Sequence, residues 1–121
     1  MISFSLEYDV RPWTTNAERA GNRWERAKKT KEWREAFCFL ALQARPPRLD
    51  WCEITIEPWL KNRSGMQDTG SCHPAAKAAI DGLVDAGVLT DDTPDIVRKL
   101  TFVAPQIGRN GLVLLVKGKT A

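Results

Sequence analysis

Apolar and polar residues alternate from the start of the chain: Ile2, Phe4, Leu6, Tyr8 and Val10 are separated by Ser3, Ser5, Glu7 and Asp9. A period of two puts each set on its own side of a pleated strand, so this segment predicts a strand with one buried face. Arg11-Pro12 interrupts it. Thr15 followed three residues later by Glu18 reads as a capping box, and helix-compatible residues continue to about Lys29. Gly21-Asn22 weakens that helix, leaving either a helix or a partly ordered basic loop. Thr30 caps a firmer helix, in which Trp33, Phe37, Leu40 and Ala41 form an apolar stripe and Lys31, Arg34 and Glu35 lie off it. Pro46-Pro47 ends it.

A second alternation, Cys52, Ile54 and Ile56 against Glu53, Thr55 and Glu57, predicts a strand before Pro58. Asn62 to Ser71, rich in Gly, Ser and Asn, reads as an exposed loop. Pro74 suits the first turn of a helix, where its missing N–H removes nothing, and Ala76, Ile80, Leu83 and Val84 would face the core. Gly87 fits the left-handed position after that helix, with Val88 closing a Schellman-type end. Two strand-like runs follow, Ile96 to Val103 and Leu112 to Lys117, joined through Gly108-Arg109-Asn110-Gly111. The predicted order is β-α-β-α-β-β. It describes one α/β (α+β) domain over residues 1–121, with a mixed sheet, helices, and no repeat, linker or low-complexity segment.

The net charge of +3 decides little, but its distribution does more. Between positions 19 and 34 stand seven cations (Arg19, Arg23, Arg26, Lys28, Lys29, Lys31 and Arg34) against two acids, Glu25 and Glu32. A concentrated positive face suits a phosphate backbone, because each neutralised phosphate releases counterions. A solvated, charged helix face accounts for the same pattern. Three separated cysteines and one histidine exclude a Cys/His zinc site of the usual spacing and fit a reduced, cytoplasmic protein. No apolar run approaches the ~20 residues of a membrane span, and the alternating N-terminus is no signal peptide.

The segment from Gln67 to Asp92 carries candidate chemistry. A helix of about thirteen residues is roughly 20 Å long, so Asp68 before it and Asp91-Asp92 after it do not meet by helix geometry alone. They meet only if the preceding loop folds back along the helix or a dimer partner supplies one end. Lys77 and Asp81 share a face, as do Asp81 and Asp85, and for Asp85 ordinary pairing along the helix is the preferred account. Adjacent carboxylates such as Asp91-Asp92 suit a hard divalent cation, although Asp also occupies turns for purely local reasons. A nearby lysine balances charge on a phosphoryl transition state.

The run from Lys77 through Asp81, Ala86-Gly87 and Asp91-Asp92 resembles the helix and following turn of the RusA-type Holliday junction resolvases. A looser likeness covers Arg11-Pro12, Asn22-Arg23-Trp24 and Lys31 to Arg34. The resemblance implies a homodimeric, magnesium-dependent endonuclease that binds four-way DNA junctions and nicks opposing strands symmetrically. It places Asp92 at the third catalytic aspartate and Lys77 at the family lysine, with Asp91 as a supporting ligand. The chain departs from the family just before Lys77. Where the family keeps an Asp-x-Asp-Asn element, Ser71, His73 and Pro74 stand here.

Two expectations follow. In the preferred one the site is rebuilt: Asp68 reaches in from the loop, His73 is a candidate second ligand, and Asp68, Lys77 and Asp92 are catalytic. Imidazole would move the preference from magnesium toward manganese or zinc. In the other the site is lost and the protein only binds branched DNA. In both, Arg19, Arg23, Arg26, Lys28, Lys29, Lys31 and Arg34 contact phosphates, and Trp24 is the exposed aromatic able to stack on a base. Arg98, Lys99 and Arg109 extend that surface. Trp13 and Trp33 read as packing residues, and no small-molecule cofactor or membrane is expected.

Overall fold

The order along the chain is β1 (Ile2–Tyr8), α1 (Thr15–Ala20), α2 (Arg23–Ala44), β2 (Leu49–Leu60), α3 (His73–Asp85), β3 (Val97–Phe102), β4 (Gln106–Ile107) and β5 (Gly111–Thr120). The computed structural model describes residues 1–121 except for the side chain of Glu18. One sheet in the order β1-β5-β2-β3, with β4 also on β2, makes a mixed five-stranded α+β fold with three helices. β5 is antiparallel to β1 and β2, whereas β3 and β4 run parallel to β2.

The first helical region departs from the expected pattern. The glycine and asparagine that weaken one long helix instead separate two. Gly21 ends α1, and Asn22 caps α2 in a reciprocal box: its Oδ1 accepts from the Glu25 N–H at 2.9 Å while Glu25 Oε2 accepts from the Asn22 N–H at 3.4 Å. Thr30 therefore lies inside a helix of 22 residues and caps nothing. The Thr15–Glu18 box involves a side chain outside the described residues, and α1 is capped by Thr14, whose hydroxyl accepts from the Ala17 N–H at 3.2 Å.

β2 continues through Pro58 to Leu60, past its expected end. The proline falls where the parallel neighbour is interrupted, between the Ile56–Phe102 and Trp59–Gln106 pairs, so the residue that cannot donate sits at a break in the ladder. The last two strand runs do not pair with each other. The turn at Gly108–Gly111 carries the chain across the end of β2, and β5 enters the sheet between β1 and β2. The helix exit follows the expected design: Gly87 has φ +80°, Val88 N–H donates to Leu83 O at 3.1 Å, and Gly87 N–H donates to Val84 O at 3.0 Å.

The core lies between one face of the sheet and helices α2 and α3, built from Leu6, Ile54, Ile56, Leu112, Leu114 and Val116 against Trp33, Phe37, Ile80 and Leu83. Ala75, Ala76, Ala78 and Ala79 are buried on α3, and at Gly82 an added Cβ would stand 2.5 Å from the Arg34 carbonyl oxygen. Small side chains thus set how closely the two helices approach. The opposite face, with Ser3, Ser5, Thr55, Thr101 and Lys117, borders an open concavity of about 490 Å³. Among the described residues no helix is long and apolar enough to cross a membrane.

Candidate functional site

Helix α3 presents Lys77 and Asp81 one turn apart on an outward ridge, with Lys77 Nζ 2.9 Å from Asp81 Oδ1. The segment after the helix turns at Gly87 and returns along it, so that Asp92 also bonds the Lys77 ammonium. This bond is made by the segment after the helix alone, and it is not the expected meeting of Asp68 with Asp91-Asp92. Asp91 adjoins it, its Oδ1 accepting from the Asp92 N–H at 2.8 Å. Burial alone would lower the Lys77 pKa, but the bonds to Asp92 and Asp81 outweigh it and hold the ammonium above its usual range. The Lys77 bond in turn holds the Asp92 carboxyl below the usual carboxylate range.

Lys77 divides two small clefts. One, of about 210 Å³, is lined by Trp13, Thr30, His73, Pro74 and Asp81 with Lys77. The other, of about 240 Å³, is lined by Lys77, Ile80, Asp92, Pro94, Val97 and Leu100. His73 opens α3, is exposed, and lies 6.0 Å from the Phe102 ring, centre to centre. Asp68 is also exposed but borders a separate, larger cavity with Trp13, Lys29, Gln67 and Ser71.

The expected four-ligand set of Asp68, His73, Asp91 and Asp92 is therefore not assembled as one group. Among the described residues no three His, Cys, Asp or Glu side chains surround a point where an ion could sit. The Asp91-Asp92 pair is the part that could hold a magnesium ion, since that ion takes one or two carboxylates and fills its shell with water and substrate oxygens. Cys72, beside His73, is buried, and desolvation pushes its thiol up to about 11, the profile of an inert packing group.

The basic face divides as well. Arg19, Arg23, Lys28, Lys29 and Lys31 are exposed, and Trp24 is 80 % exposed, the exposure expected of it. Trp33 and Trp13 are buried, the first stacked with Phe37 at 6.2 Å. Arg34, in contrast, forms a two-pronged bond with Asp85 of α3, at 2.5 and 2.8 Å, and so ties two helices together. Asp85 is paired across helices, not along its own as expected. Arg26 Nη1 donates to Gly21 O at 3.2 Å, bracing the α1–α2 junction. Arg98 covers Trp51 at 4.6 Å, and Arg109 covers Trp59 at 3.8 Å while bonding Glu7 at 2.7 and 2.9 Å. These two arginines serve the sheet more than the helical surface.

Sequence reasoning passed over Arg11 and Gln67. The Arg11 guanidinium donates to Gly65 O at 2.5 Å, and Gln67 Nε2 donates to Pro12 O at 2.8 Å. Both tie the loop before α3 to the segment after β1, and a buried glutamine inside a polar loop leaves no periodic signal by which to find it. No family model matches the chain, and no curated protein matches its sequence.

Proposed function

We propose that this protein is an endonuclease of branched DNA, resolving four-way junctions in the manner of the RusA-type resolvases and acting as a homodimer inside the cell that makes it. The observation that carries the reading is the joining of Lys77 to Asp92 across α3, beside Asp91 and Asp81 and within the span that resembles that family. Asp91 and Asp92 would hold a magnesium or manganese ion. When bound, the metal supplies an activated water and charge stabilisation at the leaving oxygen. Lys77 balances negative charge on the attacked phosphate, and Asp81 keeps its ammonium positioned. The exposed cations of α2 orient the DNA without reading its sequence, with Trp24 available for stacking on an unpaired base. Asp68 and His73 would act from either side of the Trp13 wall, on the bound strand and not in a shared ligand cage.

A second reading, junction binding without cleavage, is favoured by the absence of any group of three metal-ligating side chains among the described residues. A synthetic four-way junction with magnesium or manganese separates the two. The endonuclease gives paired, symmetric nicks that depend on metal. The binding protein retains metal-independent affinity and leaves the junction intact, with no response to substitution of Asp68.

A further inference from the structure

The cavity that Asp68 borders has a volume of about 580 Å³ and lies between Val10–Ala17 and the loop Gly65–Ser71. Its two sides are tied together by Gln67 Nε2 to Pro12 O, by Thr15 N–H to Ser71 O at 2.8 Å, and by Arg11 to Gly65 O. Three buried polar atoms on its lining residues have no partner: Trp13 Nε1, Gln67 Oε1 and Ser71 Oγ. Trp13 is 5 % and Gln67 9 % exposed, so neither is satisfied by ordinary solvation. The glutamine amide has one sensible orientation, because the Pro12 carbonyl can only accept, which leaves Oε1 as a free acceptor. Buried polar atoms are nearly always paired, and three unpaired ones on residues that share the lining of this cavity point to something that pairs them.

Their chemistry is specific. An indole N–H donates only, an amide oxygen accepts only, and a hydroxyl does either, which together match the adjacent donor and acceptor on the edge of a nucleobase. Met66 and Ala17 supply apolar surface, and Arg11 and Lys29 supply positive charge at the rim for a phosphate. The volume falls in the range of small-ligand sites.

We infer that this cavity binds a single nucleotide, its base edge on Trp13, Gln67 and Ser71 and its phosphate on Lys29 and Arg11. The three atoms are closed to solvent in this structure, so such binding requires the Gly65–Ser71 loop to shift outward. The inference rests on the branched-DNA reading for the source of the nucleotide, an unstacked residue at the branch.

The test follows the Trp13 indole N–H by two-dimensional NMR, with the peak assigned by Trp13→Phe, during titration with thymidine monophosphate, deoxyguanosine monophosphate and inorganic phosphate. Saturable movement with the nucleotides and none with phosphate is expected. Ser71→Ala, which leaves the backbone bond to Thr15 intact, should weaken nucleotide binding by several-fold, and Gln67→Leu by tenfold or more. An unmoved peak, or equal movement with phosphate, overturns the inference. Unchanged affinity in Ser71→Ala also overturns it, since a trapped water then accounts for the unpaired atoms. A second arm compares junctions with intact and with abasic branch-point nucleotides. If Ser71→Ala weakens only the intact junction, the branch is the source. If both junctions respond alike while thymidine monophosphate still binds, the ligand is a free nucleotide. Failure of the wild type to bind any junction removes the DNA reading and leaves the nucleotide titration to stand or fall on its own.

Discussion

Asp92 meets Lys77 although the remaining turns of α3, the turn at Gly87 and several loop residues separate them in sequence. The two groups hold each other in their charged forms, Asp92 below and Lys77 above their usual pKa ranges. Under the proposed function, this carboxylate would bind the metal in its ionised form and the ammonium beside it would face the phosphate.

Loss of either group should therefore affect cleavage more than binding. Lys77→Met keeps the aliphatic stem but removes the charge, and the nicking rate on a four-way junction is expected to fall on the order of 10²-fold. Asp92→Asn should lower it at least as far, while junction affinity in magnesium-free buffer stays within about twofold for both. Single-turnover nicking assays read the rate, and fluorescence anisotropy reads the affinity. Wild-type nicking by Asp92→Asn would remove the assignment.

The Arg34–Asp85 tie gives a pH prediction. The Arg34 hydrogen bond holds the Asp85 carboxyl below its ordinary value. A depressed folded-state pKa contributes stability above the unfolded value, near pH 4, and that contribution disappears as pH falls through the folded value. The side chains are 47 % and 37 % exposed, so screening limits the effect to about 0.5–1 kcal/mol. Asp85→Asn should thus be less stable than wild type by that amount at pH 6 in urea unfolding, and the gap should narrow as the pH falls below the ordinary carboxylate value near 4. A gap that stays the same as the pH falls would show that packing, not charge, is responsible.

Helix capping separates two accounts of the basic region. Asn22→Ala removes the reciprocal box with Glu25 and is expected to destabilise by about 1 kcal/mol. Thr30→Ala, at an exposed position inside α2, should be neutral or slightly stabilising, since Ala is the better helix former. Thermal unfolding of the two variants checks this, and the reverse order would restore a helix starting at Thr30.

What the sequence could and could not disclose follows from the range of each interaction. β1, the first half of β2 and the Schellman end at Gly87 were legible because period-two alternation and the φ > 0 demand are local signals. Asn22 misled because Gly-Asn reads equally as a helix breaker and as the end of one helix with the cap of the next. The central position of β5 was hidden because strand order depends on long-range pairing, not on the strand's own pattern. At the site, Lys77 and Asp81 are helix neighbours and could be paired on spacing alone. The arrival of Asp92 at Lys77, and the placement of Asp68 on a different cavity, depend on how two loops pack and leave no periodic trace.

Gly82 tests the close approach of α2 and α3. Alanine is better than glycine in a helix interior by about 1 kcal/mol, so Gly82→Ala would stabilise an isolated helix. Here the new Cβ would meet the Arg34 carbonyl at 2.5 Å and the Cys38 amide at 2.9 Å, both backbone atoms that cannot swing aside. Overpacking of this kind costs about 1–3 kcal/mol and should prevail. A lower urea midpoint with an unchanged m-value is expected, and a raised midpoint would mean that the helices separate easily.

The basic face makes the last prediction, because its cations are not equivalent. Lys28 and Lys29 are exposed on α2, and Lys29 also borders the Asp68 cavity. If each neutralises a phosphate, replacing either with alanine should reduce the slope of log affinity against log salt by about 1. Arg34 lies within the same cluster of charge but is held by Asp85 in a two-pronged bond. Arg34→Ala should therefore leave the salt slope unchanged and lower stability instead. Trp24→Ala should weaken a junction with unpaired bases by about 1–3 kcal/mol and leave the slope intact, since stacking releases no counterions. Anisotropy titrations between about 50 and 200 mM salt read all four variants. A slope loss in Arg34→Ala equal to that in Lys28→Ala would mean that the guanidinium leaves Asp85 for the DNA, and the tie between α2 and α3 would then be broken on binding.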